Sequence, residues 1–234
     1  MCIDFTEWEP IYERILDSFG FDRAADESAR DLLVSELDGK PVYEPERLDW
    51  RGRTVAVAGG GPNLGECLDT VREADVVVAA STAVDHLAAE GLAVDCMVTD
   101  LDKNPGTVER LTEAGVPVAV HAHGDNIPAV EAVLPAVDPS FVIPTTQARP
   151  VERVYNFGGF TDGDRAAFLA DAAGAARLRF PGWDFDDPGV SEQKAAKLRW
   201  AERLLYWLEG RRGEEFGVLD GRRGAIDTGP LPVQ

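Results

Sequence analysis

Two aspartates, Asp100 and Asp102, stand where a short apolar run gives way to charged residues. Side chains alternate along an extended chain, so both carboxylates can face the same crevice. Their hard oxygens suit Mg²⁺, which binds proteins through one or two carboxylates and leaves its other positions to water and substrate phosphates. The alternative is that one aspartate caps the next helix while the other is solvated. Lys103 follows directly and can pair with a phosphate, or with the aspartates when the site is empty.

A second polar segment, HAHGDN, ends another apolar run. Two of the chain's three histidines, His121 and His123, lie here two positions apart, so alternation can place both on one side. Together with Asp125 they form a candidate zinc site, but zinc favours a closed set of ligands and no cysteine is near in sequence. We therefore favour a hydrogen-bonding or phosphate-contact role for a histidine, with Asn126 beside it. Asp125 is assigned to the magnesium cluster.

Glycines and hydroxyl residues follow the first two apolar runs. The segment AGGGPNLGE can bring backbone N–H groups against an anion at the start of a helix, which Asn63 can cap. Its spacing matches neither GxGxxG nor GxxxxGK(S/T), and a tight turn without a ligand is the alternative. For the hydroxyls after the second run, helix capping is the simpler interpretation. The candidate nucleotide contacts in these two segments are Gly59, Gly60, Gly61, Pro62, Asn63, Ser81 and Thr82.

A fourth polar segment, NFGGFTDGDRAAF, combines glycines with Asp162, Asp164 and Arg165 close to a predicted helix start. A carboxylate here can recognise adjacent N–H and amino groups of a heterocycle through paired hydrogen bonds. The alternative is that Thr161 or Asp162 caps the helix and its neighbours are solvated. These three charged residues are therefore the candidates for substrate contact.

The elements that must position these residues follow from hydrophobic patterning. After residue 53 the chain alternates between short runs rich in Val, Ala and Ile and segments of helical length, which is typical of a parallel sheet buried on both faces. Right-handed crossovers then predict a doubly wound, mostly parallel α/β sheet. Ligands bind beyond the carboxyl ends of the strands in such sheets, where every polar segment above is expected to lie. The predicted strands are TVAVAG, DVVVAAS, DCMVTD, VPVAVHAH, SFVIPTT, RVYNFGG and ARLRF.

Helical periodicity predicts the rest of the organisation. Residues 1–50 form an N-terminal helical segment that caps the main domain, with helices over 4–19 and 23–37. Residues 51–212 form the α/β domain and end in a long amphipathic helix over 191–210, while residues 213–234 are expected to be a loose tail. The helices predicted between the strands cover 64–73, 83–89, 105–114, 127–134 and 164–173.

The amino-acid composition limits the kinds of partner that the protein can bind. The chain of 234 residues has 42 acidic and 23 basic residues, a formal net charge of -19, which argues against nucleic acid and anionic membranes as partners. Carboxylate excess with very little lysine indicates adaptation to concentrated salt, where screening reduces self-repulsion. The N-terminus does not resemble a signal peptide, and no apolar stretch is long enough to span a bilayer. Three unpaired cysteines do not form a disulfide framework, so we expect a cytoplasmic protein.

The motifs GGGPNL, VTDLD, HAHGDN and GGFTDGDRA, in this order, resemble the archaeal 6-hydroxymethyl-7,8-dihydropterin pyrophosphokinases of the MptE type. The resemblance runs from about Val55 to the long C-terminal helix. It extends to thiamine pyrophosphokinases, whose magnesium-binding aspartates match Asp100 and Asp102 and, in a later motif, Asp125. One departure concerns the local turn, because the family commonly has a glycine where this chain has Lys103.

The resemblance implies transfer of pyrophosphate from the co-substrate ATP to the hydroxymethyl oxygen of the pterin, leaving AMP, in tetrahydrofolate or methanopterin biosynthesis. It implies that Asp100, Asp102 and Asp125 hold Mg²⁺. The glycine loop and the hydroxyls after the second strand would then contact the nucleotide. Two related enzymes are alternatives, a metal-dependent nucleotide-sugar glycosyltransferase and a thiamine pyrophosphokinase, and a non-catalytic nucleotide-binding module is a third. The sequence leaves the oligomeric state open, a homodimer included.

Overall fold

The structure is a computed structural model that describes residues 3–232. Residues 1–2 and 233–234, which belong to the predicted N-terminal segment and tail, lie outside the described residues. Six described strands form one sheet in the order β5-β4-β3-β2-β1-β6, and all neighbouring strands pair in parallel. The predicted parallel sheet is thereby confirmed. The strands are β1 Thr54–Ala58, β2 Val76–Ala80, β3 Cys96–Thr99, β4 Val118–Ala122, β5 Val142–Thr146 and β6 Arg177–Arg179.

Helices cover both faces of the sheet. α1, α7 and α8 pack with Val55 and Val57 of β1 on one face, whereas α2 to α6 pack with Ala58 and others on the opposite face. No helix within residues 3–232 combines the length and the apolar composition needed to cross a membrane. The helices are α1 Phe5–Phe19, α2 Arg23–Glu36, α3 Leu68–Arg72, α4 Ala83–Ala89, α5 Pro105–Glu113, α6 Ile127–Val133, α7 Asp162–Ala172 and α8 Glu192–Arg212.

The N-terminal helices are part of the domain's own core. The Asp4 side chain caps α1, and Gly20 ends it in a left-handed conformation with φ of 66°. Trp8, Ile11 and other buried residues of α1 join one core cluster, while α2 contributes to the other. The segment predicted as a cap therefore contributes to both layers around the sheet.

The sixth predicted strand, RVYNFGG, is not a strand. Tyr155 forms a single bridge to Thr145 at the edge of β5, and the chain then turns away. Gly158 and Gly159 take left-handed conformations with φ of 89° and 91°, which an extended strand cannot continue. The Asn156 side chain bonds the carbonyl oxygens of residues 147 and 148, so this loop folds back over the end of β5.

The described part of the predicted loose tail packs on the domain. Phe216 and Leu219 are fully buried, and Leu231 is 6% exposed. Arg223 pairs with Glu209 of α8 at 2.7 Å and also donates to the Phe216 carbonyl oxygen. Apolar residues in a polar stretch thus find a place on the α8 side of the core, which local composition does not predict.

Candidate active site

The polar segments meet at the carboxyl edge of the sheet, where two pockets adjoin. Both pockets are lined by Lys103, Thr161, Asp162 and Lys194, so these residues form their junction. We call the first the acidic pocket; its other lining residues include Asp100, Asp102, His123, Asp125, Gln147, Phe21, Phe160, Arg165 and Lys197. We call the second the glycine-loop pocket; its other lining residues include Gly59, Gly60, Gly61, Ser81, Thr82 and Trp183.

The backbone between the two aspartates makes an unusual turn. Leu101 has φ of 68°, a left-handed conformation that is rare for a residue with a branched side chain. Its side chain is buried, its N–H donates to Thr99 Oγ1 at 3.0 Å, and the flanking carboxylates line the acidic pocket. Strained backbone of this kind clusters at functional sites. Lys103 does not take a left-handed conformation, so the absence of a glycine there leaves the turn intact.

The two carboxylates interact strongly with each other. Burial acts to raise the pKa of Asp100, but hydrogen bonds with His123 and Asp102 outweigh it and hold this pKa well below its usual range. Burial, together with the neighbouring Asp100, raises the pKa of Asp102 to about 6. Negative charge is therefore crowded at this wall of the pocket. A divalent cation would relieve the repulsion, and two carboxylates are the number that Mg²⁺ commonly takes from a protein.

Asp125 lies at the same pocket and, like Asp102, is exposed. Across the described part of the chain, no group of three or more His, Cys, Asp or Glu side chains is arranged to hold a metal ion. The predicted set of three aspartates is thus not assembled, and neither is the alternative zinc set with the two histidines. Asp100 and Asp102 are adjacent carboxylates at this pocket, and two carboxylates are as many as Mg²⁺ usually takes from a protein.

The two histidines are placed differently. His123 Nε2 lies 3.6 Å from an Asp100 carboxylate oxygen at the pocket wall, and its Nδ1 accepts the Asp125 N–H at 3.3 Å. His121 is 2% exposed and lines neither pocket. Its Nδ1 is 3.1 Å from Thr145 Oγ1, and burial together with Arg165 lowers its pKa well below the usual value. Of the two histidines predicted as phosphate contacts, His123 lies at the acidic pocket, whereas His121 lies outside both pockets with its Nε2 unpartnered among the described residues.

Asn126, predicted to contact the nucleotide, joins the ends of two strands. Its amide nitrogen donates to the carbonyl oxygens of Asp100 and His121, each at 2.7 Å, and its amide oxygen accepts the His123 N–H at 2.9 Å. The side chain is 4% exposed. With its polar atoms used in this way, Asn126 holds the HAHGDN turn against the aspartate turn.

The glycine loop packs against the loop that follows β6. Gly59 N–H donates to the Pro181 carbonyl oxygen at 2.9 Å, and Gly61 N–H donates to the Gly182 carbonyl oxygen at 2.8 Å. A Cβ at either glycine would lie 2.6 Å from Gly182 O, so these glycines permit a close backbone approach. The two N–H groups predicted to face an anion are thus occupied by carbonyl oxygens. Gly60 is exposed at the pocket.

One polar group beside this loop, the Ser81 hydroxyl, has no hydrogen-bond partner among the described residues. Ser81 has φ of 49° and is 7% exposed, and its hydroxyl forms no hydrogen bond with any described residue. Neither Asn63 nor Thr82 caps a helix with its side chain; the Asn63 amide nitrogen donates instead to Trp183 O at 3.1 Å. Pro62 is exposed and lies outside both pocket linings. The unpartnered Ser81 hydroxyl at the pocket wall favours contact with a ligand over capping.

The two aspartates at the start of α7 have separate roles. Asp164 is fully buried, and its carboxylate accepts hydrogen bonds from Thr161 N–H, the Thr161 hydroxyl and Phe160 N–H, which forms a capping box. It is therefore not placed to contact a substrate. Asp162 lines both pockets and lies 3.4 Å from Arg165 Nη1. Burial, with Asp100 nearby, raises the pKa of Asp162 to about 7.

Sequence reasoning did not identify several residues of the pocket walls. Lys194 and Lys197 reach the acidic pocket from the start of α8, and their spacing in a lysine-poor chain was an available signal. Gln147 accepts a hydrogen bond from Arg165 Nη2 at 3.0 Å and links the end of β5 to α7. Phe21 and Phe160 line the acidic pocket, their ring centroids 6.4 Å apart. Only long-range packing brings these residues to the site.

Comparison with known proteins identifies the family. The family described as 6-hydroxymethylpterin diphosphokinase MptE-like matches residues 34–189. The chain is 40% identical over 227 residues to a protein of Methanothermobacter thermautotrophicus named 6-hydroxymethyl-7,8-dihydropterin pyrophosphokinase, covering 88% of this chain and 95% of that protein. A Pyrococcus furiosus protein of the same name is 40% identical, with 87% and 93% covered, and a Methanocaldococcus jannaschii protein of that name is 30% identical, with 92% and 99% covered. With its aspartate pair, its glycine loop and these relatives, the chain belongs to the MptE-like family of 6-hydroxymethylpterin diphosphokinases.

Proposed function

We propose that this protein transfers the β,γ-pyrophosphoryl group of ATP to the hydroxymethyl oxygen of 6-hydroxymethyl-7,8-dihydropterin, yielding the pterin diphosphate and AMP. The main support is that Asp100 and Asp102 line a pocket that adjoins a second one. The two pockets share the lining residues Lys103, Thr161, Asp162 and Lys194. Two substrates can therefore meet between acidic and basic side chains. The names of the relatives support the same reaction.

The aspartate pair is proposed to hold Mg²⁺. Bound there, the ion would neutralise charge on the phosphates and help to orient the transferred group. Asp100 and Asp102 supply the carboxylates, and His123, 3.6 Å from Asp100, orients one of them. Asp125, exposed at the same pocket, is available to bind water in the outer sphere of the ion or to take part once phosphates are present.

We assign the nucleotide to the glycine-loop pocket and the pterin to the acidic pocket. The Ser81 hydroxyl, Thr82 and Gly60 offer polar contacts to the nucleotide at the first site. The Phe21 and Phe160 rings offer a flat heterocycle an aromatic wall at the second. Asp162, at the junction, can accept paired hydrogen bonds from the N–H and amino groups of a pterin.

In this arrangement the pterin hydroxymethyl oxygen forms a bond to the β-phosphorus while the bond from that phosphorus to the AMP oxygen breaks. The hydroxyl proton is lost, and the oxygen of AMP carries away the electron pair. The reaction requires the attacking and leaving oxygens to lie in line, so positioning and charge neutralisation account for most of the catalysis. The product would supply tetrahydrofolate or methanopterin biosynthesis.

AMP release is the test. With Mg²⁺ and ATP, the proposal expects AMP to appear only when 6-hydroxymethyl-7,8-dihydropterin is added, in equal amount to pterin diphosphate. Thiamine and nucleotide sugars are offered in parallel reactions. AMP formation with thiamine instead, or sugar transfer from a nucleotide sugar, would reject the pterin assignment. ATP binding without turnover of any of them would make the protein a nucleotide-binding module.

A further inference from the structure

Lysine is rare in this chain and is concentrated at one place. The four lysines are Lys40, Lys103, Lys194 and Lys197, and the last three all line the acidic pocket. They come from two parts of the fold, since Lys103 follows β3 and the other two lie on the first turns of α8. Long-range folding therefore brings together ammonium groups that are nearly absent from the rest of the surface.

These ammonium groups form no close ion pairs. Among residues 3–232, none of the three lysines lies within 4 Å of a carboxylate oxygen, although 42 acidic residues are present in the chain. They interact with pocket carboxylates only at longer range, Lys103 with Asp102, Lys194 with Asp162 and Lys197 with Asp100. Many arginines elsewhere do form close ion pairs: Arg23 lies 2.6 Å from Glu9 and 3.0 Å from Glu13, and Arg212 contacts Asp171 and Glu214. In so acidic a protein, a cluster of unpaired lysines at a pocket indicates that the charge is reserved for an anionic ligand.

The two lysines of α8 reach different parts of the site. Lys194 lines both pockets, as Lys103 does, so it stands at their junction. Lys197 lines the acidic pocket alone, with its Nζ 5.9 Å from the Phe21 ring centroid and 5.7 Å from that of Phe160. Burial, with Arg165 nearby, lowers the pKa of the Lys197 ammonium. Burial removes water from the Lys197 ammonium, so a phosphate bound beside it would stabilise its charged form.

A second observation points to a ligand on the nucleotide side of the junction. The Ser81 hydroxyl is buried without a hydrogen-bond partner in the described chain and lines the glycine-loop pocket together with Lys103 and Lys194. Hydroxyls and ammonium groups that converge on one space are suited to phosphate oxygens. The loop glycines cannot take this role through Gly59 and Gly61, whose N–H groups are used by the β6 loop.

We propose that Lys194 and Lys197, together with Lys103, form the binding site for the polyphosphate chain in the pocket that the aspartate pair also lines. Lys194 holds the pyrophosphoryl group at the junction, and Lys197 holds its terminal phosphate on the pterin side. This inference rests on the proposed function, since it places the polyphosphate of ATP between the two pockets. It makes α8 a part of the active site and not only a packing helix.

Inorganic tripolyphosphate is the probe, because its binding requires neither the pterin nor turnover. Calorimetric titration at fixed salt and Mg²⁺ compares the wild type with Lys194→Ala, Lys197→Met and the matched control Lys40→Ala. Lys40 is exposed and lies outside both pockets, and methionine at 197 keeps an unbranched apolar side chain while removing the ammonium group beside the rings. The expected result is a loss of about tenfold or more in affinity for each site variant, and less than about twofold for Lys40→Ala.

Adenosine provides the second measurement. It lacks phosphates, so its affinity is expected to be the same in all four proteins. Tripolyphosphate affinities within about twofold of the wild type in both site variants would overturn the proposal, as would an equal loss of adenosine binding. If the wild type bound tripolyphosphate through these lysines yet released no AMP with the pterin, the proposed reaction would fail while the phosphate site stood.

Discussion

At the scale of single residues, similar side chains in one motif have different roles because burial and partners differ. Asp162 and Asp164 are two positions apart, yet the first lines both pockets and the second is fully used in a capping box. His121 and His123 share a strand end, yet only His123 reaches Asp100. Chemical identity therefore selects the candidates, and their environment decides which of them can act.

Replacement of the aspartate pair is expected to abolish turnover without unfolding the protein. Asp100→Asn or Asp102→Asn removes a carboxylate proposed to bind Mg²⁺, and we expect a loss of about 10²-fold or more in kcat. The metal-free Asp102→Asn variant should unfold at the same or a higher temperature, because repulsion within the pair is relieved. Asp100→Asn should fold but unfold at a somewhat lower temperature, because the hydrogen bonds that lower the pKa of Asp100 stabilise its charged form. Steady-state AMP release and thermal unfolding measure the two effects.

The matched control is Asp17→Asn on α1, an exposed position outside both pockets. It should leave kcat unchanged. Magnesium-dependent turnover close to that of the wild type in either site variant would remove that residue from the proposed cation site.

The raised pKa of Asp162 predicts a pH dependence of stability. A carboxyl group with a folded-state pKa of about 7 and an ordinary unfolded-state pKa binds more protons when folded in the interval between them. Its contribution to stability is complete below the unfolded-state pKa and is lost as pH rises through about 7. In urea unfolding of the metal-free protein, the free energy of unfolding should therefore fall as pH rises through about 7. The fall should be shallower in Asp162→Asn. Parallel pH profiles for the two proteins would contradict this prediction.

At the scale of elements, the N-terminal helices hold the site loops in place. Asp26 of α2 accepts hydrogen bonds from the Tyr12 hydroxyl, Gly124 N–H and the Gln147 amide nitrogen, each at 2.8 Å. Gln147 in turn accepts from Arg165 at the acidic pocket. The helical segment is thus connected to the HAHGDN turn, the end of β5 and the start of α7, which explains why it belongs to the domain.

The close packing of α2 against the HAHGDN turn can be tested with a pair of substitutions. A Cβ at Gly124 would lie 2.6 Å from the Ala25 Cβ, so Gly124→Ala is expected to destabilise the protein by about 1–3 kcal/mol. Ala25→Gly makes room but loses up to about 1 kcal/mol of helix propensity. The double variant should therefore be more stable than the sum of the single changes predicts.

Urea unfolding of the four proteins forms a double-mutant cycle. If the changes in the free energy of unfolding were additive, there would be no steric interaction between residues 124 and 25.

At the scale of the whole molecule, net charge sets the conditions for stability. The formal net charge of -19 in 234 residues produces self-repulsion in the folded state, which dissolved salt screens. Three of the four lysines line the acidic pocket, so surface ion pairs between the described residues use mainly arginine. We propose that the protein is adapted to concentrated salt and that this adaptation concerns the surface and not the chemistry.

Salt titration tests the proposal directly. The midpoint of thermal unfolding should rise steadily between about 0.1 and 2 M KCl, since the Debye length falls from about 10 Å to a few Å over this range. NaCl at the same ionic strength should give a similar rise if screening is the cause. An unfolding temperature that stays constant or falls as KCl increases would contradict salt adaptation.

Local sequence was sufficient for the parallel sheet and for the edge of the sheet at which the polar segments meet. Apolar runs of five or so residues between helical segments specify a parallel sheet because strands buried on both faces need apolar side chains at every position. In such a sheet all carboxyl ends meet at one edge, so Asp100, Asp102 and the glycine loop were correctly predicted to lie together. The resemblance to the pterin enzymes rests on the same short motifs.

Tertiary structure alone decided which side chains are free for a ligand. Contacts between residues far apart in sequence occupy the N–H groups of Gly59 and Gly61 and bring Lys194 and Lys197 to the pocket. The same kind of contact buries Phe216 in a stretch that looked loose. Hydrophobic periodicity indicates whether an element is a helix or a strand and which of its faces is buried. The hydrogen-bond partners of each polar atom depend on the packing of the whole chain.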